Sequence, residues 1–165
     1  MSELFIIRHA IAHERDASAW PNDDERPLTD KGVHRFRAAA RGLARWVDRP
    51  NELLSSPLVR ARQTATILEE KAGFPAAIEL DALRPDVEVT ALIGALRERS
   101  ATRIAIVGHE PSLSQLIAAL LGGRAAGVRV EMKKGAVAHL GFAERVEEAT
   151  GELLALLPPR VLRAL

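Results

Sequence analysis

The chain has 165 residues, 47% of them apolar, with 23 basic and 22 acidic side chains and a formal net charge of +1. That length and composition fit a single globular domain over 1–165 with a sizeable core, and exclude a disordered chain. The near-neutral balance removes any bulk argument for nucleic acid or an anionic membrane, so positive potential must be local, and the lack of cysteine excludes disulfides, thiolate zinc sites and cysteine nucleophiles. No run approaches a membrane span and no basic, apolar leader precedes the first strand, so a cytoplasmic location is the default expectation.

Leu4–Arg8 reads as a buried strand. His13–Pro27 is polar and turn-rich, a loop long enough to be functional or mobile. Thr29 has the chemistry of an N-cap, and Val33, Phe36, Ala40, Leu43 and Val47 follow at helical steps. Asn51–Ser55 is a short strand. Pro57 suits the first turn of the next helix, whose inner stripe is Leu58, Ala61, Ala65, Leu68 and Ala72, with Gly73 as its stop. Ala77–Leu80 reads as a third strand. Val89, Leu92, Ile93 and Leu96 mark a helix, and Arg103–Val107 is the clearest strand. Pro111 opens a helix lined by Leu113, Leu116, Ile117 and Leu120. Beyond it, Val128–Met132, Ala136–Phe142 and Glu152–Leu157 read as strands, with Pro158-Pro159 ending the last. Alternating strands and helices followed by strands alone predict a three-layer α/β/α sandwich, mostly parallel with antiparallel edge strands.

Open α/β sheets bind ligands beyond the carboxyl ends of their strands. Three exits here carry suggestive residues: Arg8-His9, then Ser55-Ser56-Pro57 with Arg60 and Arg62 just beyond, then Gly108-His109. Two histidines meet if their strands lie side by side and parallel. A neutral imidazole can attack phosphorus, and arginines match phosphoryl oxygens with planar donors. The arginines also favour the neutral imidazole.

Arg8-His9, Arg26-Pro27-Leu28-Thr29, the run from Ser56 to Thr64, and Gly108-His109 stand in the order and rough spacing of the histidine phosphatase superfamily. The chain resembles its phosphoglycerate-mutase-like branch from Leu4 to about Phe142. It lacks the mutases' long inserts, and Arg26–Thr29 and Lys133–Ala136 look most like the compact SixA-type phosphohistidine phosphatases. The resemblance implies His9 as the nucleophile, Arg8 and Arg60 as phosphoryl clamps and His109 as the second pocket histidine. Ser56 and Arg26 are candidate substrate-binding residues. Two departures matter. Ala10 replaces the usual glycine after Arg-His. No glutamate stands where mutase-like enzymes carry a general acid; Asp81 and Asp86 are the candidates there.

Other polar residues have plainer readings. His13 belongs to the rim, and His34 is exposed. His139 alternates away from Ala138 and Leu140 and so faces the other side of the sheet. Arg62 points away from Arg60. No histidine pair has metal-ligand spacing, so no metal and no cofactor is expected. Arg35, Arg37, Arg41 and Arg45 read as a solvated helix face. The expected activity is metal-independent phosphatase chemistry through a phospho-His9 intermediate. The substrate is phosphohistidine on a protein such as a histidine-phosphotransfer domain, in signal transduction. A small-molecule phosphomonoesterase acting on a sugar or cofactor phosphate is the alternative, and a catalytically weak phospho-ligand-binding module the second. Nothing demands more than a monomer.

Overall fold

The computed structural model describes residues 1–123 and 127–165. Its sheet contains β1 (Ser2–Arg8), β2 (Glu52–Ser55), β3 (Ala77–Glu79), β4 (Arg103–Gly108), β5 (Val137–Phe142) and β6 (Glu152–Leu157). The spatial order is β3-β2-β4-β1-β5-β6. The first four strands run parallel, and β5 and β6 add antiparallel on the β1 side. The expected α/β class with an antiparallel edge is therefore what forms.

Side chains alternate across β1 and build one core on each face. Leu4 and Ile6 join Ile104, Ile106 and Leu116 on one face. Phe5 and Ile7 join Phe36, Leu43, Leu68 and Val107 on the other. The helices α1 (Asp30–Trp46), α2 (Val59–Ala72) and α5 (Pro159–Leu162) contribute to the second core. The helices α3 (Val89–Arg97) and α4 (Ser112–Gly122) contribute to the first. Strands covered on both faces need continuous apolar runs, which is why β1 and β4 stand out in the sequence.

Local chemistry fixes the helix starts. Thr29 caps α1 by accepting from the Gly32 N–H at 2.9 Å. Gly32 is also needed for space: a Cβ there would sit 2.0 Å from the Ile11 carbonyl oxygen. That close approach seats α1 directly on the chain leaving β1. Pro57, expected inside α2, lies before it. The Ser56 hydroxyl takes the Leu58 N–H at 3.4 Å, Leu58 is the cap, and helical geometry begins at Val59.

Val128–Met132 is not a strand, although its apolar and polar residues alternate. Both edges of β1 are already occupied, by β4 and β5. The segment instead lines a surface cleft with Leu121, Leu153 and Leu156 and buries Met132. Its last carbonyl serves the site rather than a ladder. After β6, Pro158 caps the one-turn helix α5, which buries Leu162 in the core beside α1. Among the described residues, no helix is long and apolar enough to cross a membrane.

Candidate active site

Strand register assembles the site. Arg8 lies opposite Gly108 in the parallel β1–β4 pair. One residue further, His9 and His109 meet with ring centroids 5.1 Å apart. On the far side of β4, Ser55 pairs with Val107. That places Ser56 beside His109, with Oγ and Nε2 2.8 Å apart. The connection after β1 leads towards β2, while the one after β4 leads to β5 on the opposite side. The histidines thus sit where the winding direction switches, the place such sheets keep open for ligands.

Both rings are held by hydrogen bonds. His9 Nδ1 is 2.7 Å from the Ala10 carbonyl, which can only accept, so Nδ1 carries the proton and Nε2 keeps its lone pair. At His109, Nε2 bonds Ser56 Oγ, which also accepts from the Leu58 N–H. When the Ser56 hydroxyl donates to Nε2, the His109 proton lies on Nδ1. That Nδ1 is buried without a partner, and so are the Nε atoms of Arg8 and Arg60.

Both guanidiniums are held by their outer edges. Arg8 Nη1 donates to the Met132 carbonyl at 2.7 Å. Arg60 Nη1 donates to the Asp23 carbonyl at 2.8 Å, and its Nη2 lies 3.2 Å from the Asp23 carboxylate. Gly135, at φ +79°, lets its N–H donate to the carbonyls of both Arg8 and His9. Thr64 Oγ1 accepts from the Ala10 N–H at 3.0 Å and donates to the Arg60 carbonyl at 2.7 Å. The chain around His9 is therefore tied to α2 and to the turn before β5.

His9 is 6% exposed and His109 3%. Burial pushes the His9 pKa down to about 3, helped by the Arg60, Arg8 and Lys134 charges; the Ala10 hydrogen bond pulls the other way and loses. His109 is pushed down to about 2, by burial first and then by His9, Arg60, Arg26 and Arg8. Both imidazoles are neutral at neutral pH. Asp23 is held below the usual carboxylate range, chiefly by the Arg26 hydrogen bond and further by the Arg60 and Arg15 charges.

Of the residues singled out in the sequence, His9, His109, Arg8, Arg60 and Ser56 converge. Arg26 is buried just outside them. Its Nε donates to Asp23 at 2.8 Å and its Nη1 to the His13 carbonyl at 2.5 Å. The two acid candidates stay apart. Asp81 is 88% exposed and pairs with Arg84, and Asp86 is exposed. Arg62 turns outward to Glu79. His13 packs at a tilt against Trp20, His34 is exposed, and His139 pairs with Glu3 on the α1 face.

Asp23 and Thr64 are the contributors that sequence reasoning missed. Thr64 lies in the Ser56–Thr64 motif, whose neighbour Gln63 also reaches the loop by accepting from the Leu28 N–H. Asp23 had no comparable signal, being one acid among several in a turn. Among the described residues, no group of three or more His, Asp or Glu gathers as a metal cluster.

Residues 4–84 match the family model of the histidine phosphatase superfamily, branch 1. An uncharacterised protein of Picosynechococcus sp. is 33% identical over 165 residues, covering 97% of this chain and 98% of that one. Phosphohistidine phosphatase SixA of Escherichia coli is 32% identical over 125 residues, covering 73% of this chain and 75% of its own. A structure of the protein histidine phosphatase SixA with tungstate has the same fold. It aligns with a TM-score of 0.79 at 24% identity, over 96% of this chain and 97% of that one. With the motif residues brought together by the same strand register that builds the sheet, the chain belongs to the histidine phosphatase superfamily, branch 1, and is a phosphatase by class.

Proposed function

We propose that the protein removes the phosphoryl group from phosphohistidine on a partner protein, through a phospho-His9 intermediate and without a metal. One observation carries this reading. Three buried nitrogens have no partner, Arg8 Nε, Arg60 Nε and His109 Nδ1, and they belong to the ring beside His9 and to the two arginines whose charges act on it, while the His9 proton on Nδ1 leaves the Nε2 lone pair for attack. Each buried donor left unpaired costs about 1–3 kcal/mol. A fold that keeps three of them around one nucleophile has donors reserved for an anion.

The step follows from those atoms. His9 Nε2 attacks phosphorus and the P–N bond to the substrate imidazole breaks. With its other ring nitrogen protonated, that imidazole leaves neutral and takes the bonding pair with it. The Arg8 and Arg60 Nε–H groups and His109 Nδ1–H donate to the phosphoryl oxygens as charge redistributes. Water then attacks the phospho-His9, releasing orthophosphate and restoring the imidazole.

The leaving group decides between protein phosphohistidine and a phosphate ester. An alkoxide needs a proton donor. Among the described residues, the carboxylate that touches the pocket arginines is Asp23, and it is ionised by them. Neutral imidazole needs no such help. The test is a panel comparing a phosphorylated histidine-phosphotransfer domain, small phosphate esters and an aryl phosphate, with His9→Ala as the control. The expected result is turnover of phosphohistidine and the activated aryl ester, slow alkyl esters, and loss of about 10⁴-fold or more in the variant. Rapid alkyl-ester hydrolysis with an inert phosphoprotein would replace this reading by a small-molecule phosphomonoesterase. Substantial turnover by His9→Ala would remove the mechanism.

A further inference from the structure

Beside the histidine pocket lies a groove of about 340 Å³, walled by α1, the Lys133–Gly135 turn and α5. Phe36, Pro158 and Pro159 supply apolar floor. Arg35, Lys133, Lys134, Arg160 and Arg163 supply the rim. No carboxylate lines the groove, and none of these five cations has an ion-pair partner among the described residues. Arg15, Arg26, Arg60, Arg62, Arg84 and Arg99 are paired with acids; Arg37 and Arg41 on α1 are unpaired too among the described residues, but do not line the groove. In a chain whose net charge is only +1, five unpaired cations converge on one groove that no acid lines, and their fields add there to a local positive potential.

The groove and the pocket share a wall. Ala10, the residue after His9, lines the groove. Gly135 lines it too, while its N–H holds the carbonyls of Arg8 and His9. An occupant of the groove therefore lies one residue from the reacting nitrogen. A small polyanion would use the rim and leave the apolar floor uncovered. A protein segment carrying acids and an apolar side chain covers both.

We infer that this groove docks an acidic, partly apolar segment of the phosphoprotein whose phosphohistidine enters the His9 pocket. The inference rests on the phosphohistidine reading and adds to it where the protein substrate is recognised. Docking of this kind acts through exposed charges, so it speeds encounter, lowers KM and weakens with salt, while the chemical step belongs to the buried site.

The experiment compares wild type with Arg160→Glu/Arg163→Glu on three substrates. These are a phosphorylated histidine-phosphotransfer domain with acids flanking its histidine, the same domain with those acids changed to Asn and Gln, and an aryl phosphate. On the acidic domain the double variant raises KM about tenfold or more with kcat retained. The effect shrinks on the neutralised domain and at high salt, and the ratio of protein to aryl-phosphate kcat/KM falls by the same factor. Arg35→Glu, on α1, gives the same direction and guards against damage to the short α5. Equal kinetics of wild type and variants on the acidic domain overturn the docking site while leaving the phosphohistidine reading intact. So does an equal loss on the aryl phosphate, or a groove that responds to inorganic polyphosphate but not to the domain's acids. A wild type that cleaves aryl phosphate and neither phosphoprotein overturns both.

Discussion

The pocket and the groove are both cationic, yet they hold their charge in opposite ways. Arg60 is 4% exposed and braced by Asp23, its Nε is buried without a partner, and its charge acts on both buried imidazoles. Arg35, Arg160 and Arg163 stand in solvent without partners. Buried charge is scarcely screened and its direction is fixed, so it can stabilise one transition state. Exposed charge is screened within about 8–10 Å at ordinary ionic strength, and its long side chains adapt, so it suits recognition. Under the proposed function, the difference assigns catalysis to the pocket and substrate choice to the groove along a single shared wall.

The sharpest way to break that division is Arg60→Lys. An ammonium keeps the charge but cannot hold Asp23 by its outer edge while presenting an Nε–H inward. The expected loss is about 100- to 1000-fold in kcat for every substrate, measured by steady-state kinetics. A loss confined to protein substrates would mean that the pocket, too, serves recognition.

Ser56→Ala removes the hydroxyl that bonds His109 Nε2 at 2.8 Å. The expected effect is smaller, about tenfold in kcat, because the imidazole stays in place and only its proton becomes free to sit on Nε2. Nitrogen NMR of the ring, showing a shift of the proton from Nδ1, checks the cause independently of rate.

Both histidines have the ordinary value near 6.5 when unfolded and are depressed in the fold, to about 3 and about 2. Between those limits the unfolded chain binds more protons, so stability is complete above about pH 6.5 and falls as acid is added through that window. His109→Asn removes one of the two contributions. Its melting temperature declines less steeply than wild type from about pH 7 to about pH 4. Variants at the exposed rim, such as Arg160→Glu, leave that slope as it was; a changed slope there would blur the line between the two regions.

The sequence was most legible where a residue's role is imposed by its strand. β1 and β4 are continuous apolar runs because both faces are covered, and adjacent parallel strands bring their exits together. The meeting of His9 and His109 at those exits, with Arg8 beside them, was therefore legible in the sequence. Arg60 followed from the helix after β2. Legibility failed where local pattern competes with global occupancy. Val128–Met132 alternates like a strand but finds the β1 edge taken. Pro57 is a good first-turn residue, but the Ser56 hydroxyl captures the Leu58 N–H and delays the helix. Four-residue α5 is too short for a helical period to show. Asp23 depends on where a turn folds back over α2, which no spacing within the loop specifies. Arg35 looked like part of a solvated face, as it is; its neighbours across the groove come from a turn and a helix more than ninety residues away.

The outer-edge grip on Arg8 and Arg60 has a consequence for the entropy of binding. A free arginine side chain carries roughly 2 kcal/mol of rotamer freedom. The Met132 carbonyl and Asp23 remove much of that freedom when the chain folds, before any anion arrives. An incoming phosphoryl group therefore meets donors already aimed and has little side-chain motion left to arrest. Association and the first chemical step draw on a geometry settled in advance by the fold.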